Sequence, residues 1–128
     1  MFISSKNENI KENMIIGFHY HTTGIFNNGY YTVGYIGTFL DSIAPDYEKV
    51  ICFLHSPRDD FEKNELDYKI KSKNVFFVNI GAHEKLNIRL LTGIKNLSEV
   101  KFWMEKISVL IVRVPTPFLF KICRILSF

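Results

Sequence analysis

The chain has 128 residues, of which 47% are hydrophobic and 23% charged, and its formal net charge is +3. These values are typical of one globular domain, and they exclude a disordered chain, a collagen-like repeat and, with only two cysteines, a disulfide scaffold.

Charge is distributed unevenly along the chain. Residues 1–67 carry 5 basic and 10 acidic side chains, whereas residues 68–128 carry 11 basic and 3 acidic ones. A basic half can contact an anionic lipid surface or a phosphorylated ligand, but its scattered lysines also fit an ordinary solvated surface.

The two ends of the chain predict a lead-in and an unfinished domain. Residues 1–12 are polar and are expected to be a disordered lead-in, which leaves the folded domain at 13–128. An apolar run at residues 14–18 is typical of a buried first strand. The final helical pattern, residues 118–128, ends without a cap, so the domain is expected to be incomplete.

The first strand is followed by a predicted loop and a predicted helix. Residues 19–31 contain two turn signals, Thr22-Thr23-Gly24 and Asn27-Asn28-Gly29, and are expected to form a loop. Apolar residues then recur at three- and four-residue spacing over 33–44, which predicts a helix, and Pro45 ends it.

The rest of the chain predicts strands separated by helical or charged segments. The connection 58–73 is highly charged and is expected to be exposed, and the segment 86–106 has helical periodicity. Three further apolar runs predict buried strands, at residues 49–54, 74–80 and 107–114.

Short, continuously apolar strands that alternate with helices predict an α/β fold with a Rossmann-like, mainly parallel sheet flanked by helices. Sheets of this kind bind ligands outside the carboxyl ends of their strands. The loops expected to carry function are therefore 19–33, 55–60, 81–85 and 113–117.

Three segments, in this order and spacing, resemble the N-terminal half of a two-Rossmann-domain (GT-B type) glycosyltransferase, and most closely the retaining, nucleotide-sugar-dependent family four. Residues 34–44 are similar to the family's glycine-rich loop and first helix, with Tyr35 standing where a second glycine is common. Residues 48–54 are similar to its second strand, and residues 108–117 to the strand that leads into an acceptor-side loop.

The resemblance implies an enzyme that moves a sugar from a nucleotide-sugar donor to a glycan or lipid-linked acceptor, with no metal and no other cofactor. In that family most donor contacts, including a pair of glutamates, come from a C-terminal domain. The 128 residues are therefore expected to be inactive without that missing domain or a partner subunit, and the catalytic residues are not assigned.

The expected donor diphosphate site is the start of the 33–44 helix. A helix N-terminus offers backbone N–H groups and a partial positive charge, and glycine lets a ligand approach the backbone. Gly34, Tyr35 and Gly37 are the candidate residues there, and the alternative is that the glycines serve helix packing.

Histidines follow two of the predicted strands and are candidates for the acceptor pocket. His19 and His21 are two residues apart, so they point the same way on an extended segment, and His55 follows the second strand. An imidazole at such a position can hydrogen-bond an acceptor hydroxyl or act as a base. A metal site is not expected, because no cysteine or carboxylate stands at ligand spacing.

Four further residues complete the predicted pocket. Tyr30 and Tyr31 precede the helix, and a tyrosine ring can stack on a sugar or a base, although loop packing would explain them equally. Arg113 ends the last strand, where its guanidinium could hold a phosphate or form a surface salt bridge, and Thr116 lies in the following turn.

Two alternatives remain open at this point: a non-catalytic α/β interaction module, and a phospholigand-binding module. The sequence contains no nucleic-acid-binding motif, so no nucleic-acid partner is expected. No signal peptide or membrane span is visible, and the protein is expected in the cytoplasm, where the basic half would allow peripheral contact with the inner face of the membrane.

Overall fold

The computed structural model describes residues 13–82 and 97–112, which form an α/β fold with a mixed six-stranded sheet flanked by helices. The strands are β1 (Ile15–Phe26), β2 (Tyr30–Thr32), β3 (Lys49–Ser56), β4 (Tyr68–Lys69), β5 (Val75–Ala82) and β6 (Val109–Val112). The helices are α1 (Gly34–Ile43), α2 (Asp60–Lys63) and α3 (Leu97–Lys106), and a 3-10 turn, Ala44–Asp46, follows α1. The predicted lead-in at 1–12, the first part of the 86–106 helix and the segment 118–128 lie outside the described residues.

Four of the strands form a parallel core with β1 at its centre. β1 pairs in parallel with β3 on one side and with β6 on the other, and β3 pairs in parallel with β5. The order across this core is therefore β5–β3–β1–β6. The strands predicted at 49–54 and 74–80 are confirmed, and so is the α/β class.

The two faces of the sheet bury separate hydrophobic clusters. Side chains alternate along β3, so Val50, Cys52 and Leu54 face one way and Ile51 and Phe53 the other. The first face packs against α1, through Ile36 and Leu40, and the second packs against α3, through Val100 and Met104. Burial in the first of these clusters raises the pKa of the Cys52 thiol.

The prediction of a loop over residues 19–31 is wrong. β1 continues to Phe26 and turns through Asn27-Asn28-Gly29 into β2, so that Gly24 pairs with Thr32 and Phe26 with Tyr30 in an antiparallel hairpin. Only this second turn signal forms a turn, with positive φ at Asn28 and Gly29. Thr22-Thr23-Gly24 lies inside the strand, where threonine is favoured by its β-branched side chain.

The hairpin makes the sheet mixed. β2 pairs antiparallel with β4, which belongs to the connection between β3 and β5. This connection was predicted to be exposed, but Leu66 and Ile70 are buried in it. Apolar residues are too sparse in this charged segment for a periodic pattern to reveal them.

Asp41 of α1 attaches the same connection to the helix. Its carboxylate accepts hydrogen bonds from the Tyr68 hydroxyl at 2.6 Å, the Lys71 backbone N–H at 3.0 Å and the Ser72 backbone N–H at 2.9 Å. Partial burial alone would raise the pKa of Asp41, but these hydrogen bonds favour the charged form, and the net effect lowers it.

The predicted helix at 33–44, with Pro45 in the turn that follows it, is confirmed.

No helix within residues 13–82 and 97–112 is long and apolar enough to cross a membrane.

Candidate functional site

Three histidines meet where the parallel strands end. His19 is the last residue of β1 in register with both β3 and β6, opposite Phe53 and Val112. The pairing of β1 with β3 then shifts, and it resumes with Thr23 opposite His55. The irregular segment between these positions carries His21. We call His19, His21 and His55 the histidine cluster.

Backbone carbonyl groups orient two of the rings. Nδ1 of His19 lies 2.9 Å from the carbonyl oxygen of Phe53, and Nδ1 of His55 lies 3.2 Å from that of Gly81. A carbonyl oxygen can only accept, so Nδ1 carries the proton in both residues. In the neutral form, Nε2 is then the basic nitrogen of each ring.

The three histidines of the cluster differ in their exposure to solvent. His19 and His55 are 0% and 1% exposed, whereas His21 is exposed. The ring of His55 contacts both of the others edge to face, with centroids 5.1 Å from His21 and 6.4 Å from His19. Burial lowers the pKa of His19; the hydrogen bond with Phe53 opposes this effect, and the nearby His21 adds to it. The cluster therefore presents the imidazole of His21 to solvent, and behind it lies the buried imidazole of His55, which the Gly81 carbonyl group holds in a fixed orientation.

Acid is expected to destabilise the protein through His19. Unfolded histidine binds a proton near its ordinary pKa of 6.5, and folded His19 binds one only at lower pH. The contribution of His19 to the free energy of unfolding should therefore be constant above that value and fall as the pH decreases below it, towards the folded pKa. In His19→Asn, whose amide can still donate to the Phe53 carbonyl, urea denaturation between pH 7 and pH 5 should show a smaller decrease. His21→Asn is the control and should keep most of the slope; an unchanged slope in His19→Asn would contradict the assignment.

Metal binding by histidine requires several ligands to converge on one point. In the described residues, no group of three or more histidine, cysteine, aspartate or glutamate side chains is arranged to hold a metal ion. The imidazoles of the cluster can form hydrogen bonds and transfer protons.

The candidate diphosphate residues begin α1, and they differ in what they contact. Tyr35 is 59% exposed, and its ring meets that of Tyr20 edge to face, with centroids 6.2 Å apart. Gly34 opens the helix next to Asp67, whose Oδ1 would lie 3.8 Å from a Cβ atom at that position. Gly37 is buried under Tyr68, where a Cβ atom would overlap the ring. Gly37 thus serves packing between α1 and β4, whereas Gly34 and Tyr35 lie nearer the surface.

The two tyrosines predicted for the pocket lie on β2. The Tyr30 ring lies 4.7 Å from that of Phe77 and 5.0 Å from that of Phe26, between centroids, and burial raises the pKa of its hydroxyl. Tyr31 is half-buried and pairs with Lys69 of β4. Arg113 and Thr116 lie outside the described residues.

A cleft of about 350 Å³ lies between the hairpin, the carboxyl-terminal half of β3 and the middle of β5. It is lined by Gly24, Ile25, Phe26, Tyr30, Leu54, Ser56, Phe77, Val78 and Asn79. Of these, only Tyr30 was a candidate in the sequence. The hairpin signal Asn27-Asn28-Gly29 could have placed Phe26 opposite Tyr30, but nothing in the sequence brings Ser56 and Asn79 to the same cleft.

No protein-family model matches the chain, and no curated protein or solved structure shows significant similarity to it.

Proposed function

We propose that the chain is the acceptor-side, N-terminal part of a GT-B type glycosyltransferase, which moves a sugar from a nucleotide-sugar donor to a glycan or lipid-linked acceptor. The observation that carries this proposal is the histidine cluster at the carboxyl ends of the parallel strands. The proposal requires a second domain or subunit to bind most of the donor, so the 128 residues are expected to bind ligands without turning them over.

The strand order supports a Rossmann-like assignment. The four parallel strands, numbered 1 to 4 in chain order, are β1, β3, β5 and β6. Across the sheet they lie in the order β5–β3–β1–β6, which is 3-2-1-4 in this numbering. This is the order of the first four strands of a doubly wound sheet. The direction of winding reverses between β1 and β6, and ligands bind at such a switch point. His19, opposite Val112 of β6, lies at this point.

The side chains at this edge suit an acceptor hydroxyl. The exposed imidazole of His21 can accept a hydrogen bond from the hydroxyl or take up its proton, and His55, fixed by Gly81, stands behind it. The first turn of α1, with Gly34 and Tyr35, packs on the other face of the sheet from the cluster, and we propose that its backbone N–H groups face the donor diphosphate at the carboxyl edge of the strands.

Loss of the His21 imidazole is expected to weaken glycan binding about fivefold, which corresponds to one hydrogen bond. The measurement is a titration of the ¹⁵N-labelled chain with maltotriose, chitotriose, UDP-glucose and GDP-mannose, in the unaltered protein and in His21→Ala. Amide shifts should concentrate at residues 19–21 and 55–56. The exposed α3 variant Lys101→Ala is the control and should bind like the unaltered protein.

The same titration separates the alternatives. Binding of UDP and GDP as tightly as the nucleotide sugars, with no glycan binding and loss in Gly34→Val, would favour the phospholigand-binding module over the transferase. Absence of any binding at millimolar concentration would overturn the proposal and favour an interaction module.

A further inference from the structure

We infer that the cleft under the hairpin is a second site, which binds a neutral sugar ring separately from the histidine cluster. The side chains of β3 alternate between the two faces of the sheet, so Leu54 and Ser56 face the cleft whereas His55 faces the opposite side. The cleft and the cluster therefore lie at the same edge of the sheet but on different faces. That the ring belongs to a glycan rests on the proposed function.

Aromatic rings form a continuous row from the rim of the cleft to its floor. Phe26 is 69% exposed on the hairpin and contacts Tyr30, and Tyr30 contacts Phe77 of β5, with centroids 5.0 and 4.7 Å apart. We call Phe26, Tyr30 and Phe77 the aromatic row. An aromatic face is the surface on which the C–H side of a sugar ring packs.

Neutral polar groups lie beside these rings. Ser56 contributes a hydroxyl and Asn79 an amide, and the exposed Asn79 side chain is held in place by a 2.8 Å hydrogen bond from the Gly81 N–H to its Oδ1. A hydroxyl and an amide can both donate and accept, as the hydroxyl groups around a sugar ring require. The combination of aromatic walls with a few polar groups is typical of small-molecule sites.

The charge and size of the cleft restrict the ligand. None of its nine described lining residues is charged, so nothing there compensates the phosphate of a nucleotide or the carboxylate of an acidic sugar. The volume of about 350 Å³ is near the lower end of ligand sites, which span roughly 300–1,000 Å³. The site therefore fits a terminal neutral unit of a glycan better than an extended chain.

The test is the affinity of Phe26→Ala for neutral trisaccharides. Maltotriose, cellotriose and chitotriose are titrated into the ¹⁵N-labelled full chain, and uridine and glucuronic acid are titrated separately. We expect at least one trisaccharide to shift the amides of Ile25, Phe26 and Asn79, and we expect Phe26→Ala to weaken this binding about fivefold, as the loss of one aromatic stacking contact does. Phe26→Trp should retain it. Phe61→Ala is the matched control, because Phe61 is 76% exposed on α2 and does not line the cleft.

The outcomes separate this inference from the proposed function. Trisaccharide binding that shifts residues 19–21 and is lost in His21→Ala, but is unchanged in Phe26→Ala, would overturn the second site and leave the transferase proposal standing. Binding in the cleft that survives His21→Ala supports the second site alone. Tighter binding of uridine or glucuronic acid than of every trisaccharide, or no binding in the cleft, would overturn the inference.

Discussion

Replacing Phe53 by alanine is expected to lower the free energy of unfolding by about 3–5 kcal/mol. Phe53 is 0% exposed and packs between the sheet and α3, in the cluster that contains Ile51 and Val78. Its backbone pairs with β1 on one side and with β5 on the other, so the surrounding strands cannot easily move to fill the cavity. The loss should therefore include both the hydrophobic transfer free energy of the removed ring and the free-energy cost of the cavity that it leaves.

The measurement is urea denaturation at neutral pH, with Phe61→Ala as the matched control. The same atoms are removed there from a ring that is 76% exposed, and the change should stay within about 0.5 kcal/mol. If Phe53→Ala does not fold, Phe53→Leu, which keeps most of the volume, should lose about 1–2 kcal/mol. Equal effects at positions 53 and 61 would contradict the placement of Phe53 in the core.

Gly37→Ala is expected to destabilise the protein by about 1–3 kcal/mol, which is opposite to the effect of helix propensity. Alanine in the interior of an exposed helix would stabilise it by about 1 kcal/mol relative to glycine. At position 37, however, an added Cβ atom would lie 2.7 and 2.8 Å from two ring carbons of Tyr68. The ring cannot easily withdraw, because its hydroxyl donates to Asp41 at 2.6 Å.

Two comparisons test this explanation by urea denaturation. At Gly34, on the same helix, the only neighbour of an added Cβ atom among the described residues is Asp67, at 3.8 Å, so Gly34→Ala should be neutral or slightly stabilising. In a Tyr68→Ala background the clash is removed, so adding Gly37→Ala should no longer destabilise. A Gly37→Ala variant that is as stable as Gly34→Ala would mean that α1 and β4 do not pack as described.

The sequence by itself determined the α/β class and the approximate positions of α1, β3 and β5. Each of these depends on a local pattern. For α1 the pattern is the three- and four-residue spacing of apolar residues such as Ile36 and Leu40, and for β3 and β5 it is the continuous apolar run that is typical of a strand buried on both faces. Such patterns are set by burial of neighbouring residues, so they can be detected without knowing the fold. The turn at Asn27-Asn28-Gly29 was predicted for the same reason, since it depends on local backbone preferences.

Only the tertiary structure decided the course of residues 19–26 and the composition of the sites. β1 continues into the hairpin because β2 supplies its hydrogen-bond partners, and β2 in turn pairs with β4, which comes from a segment about forty residues later in the chain. The sequence made His19, His21 and His55 candidates for one pocket, but the pairing of β1 with β3 determines their mutual contacts and which of them is exposed. The packing of Gly37 against Tyr68 and the convergence of Phe26, Ser56 and Asn79 on one cleft arise in the same way. Contacts between distant segments depend on strand order and register, which no local spacing encodes.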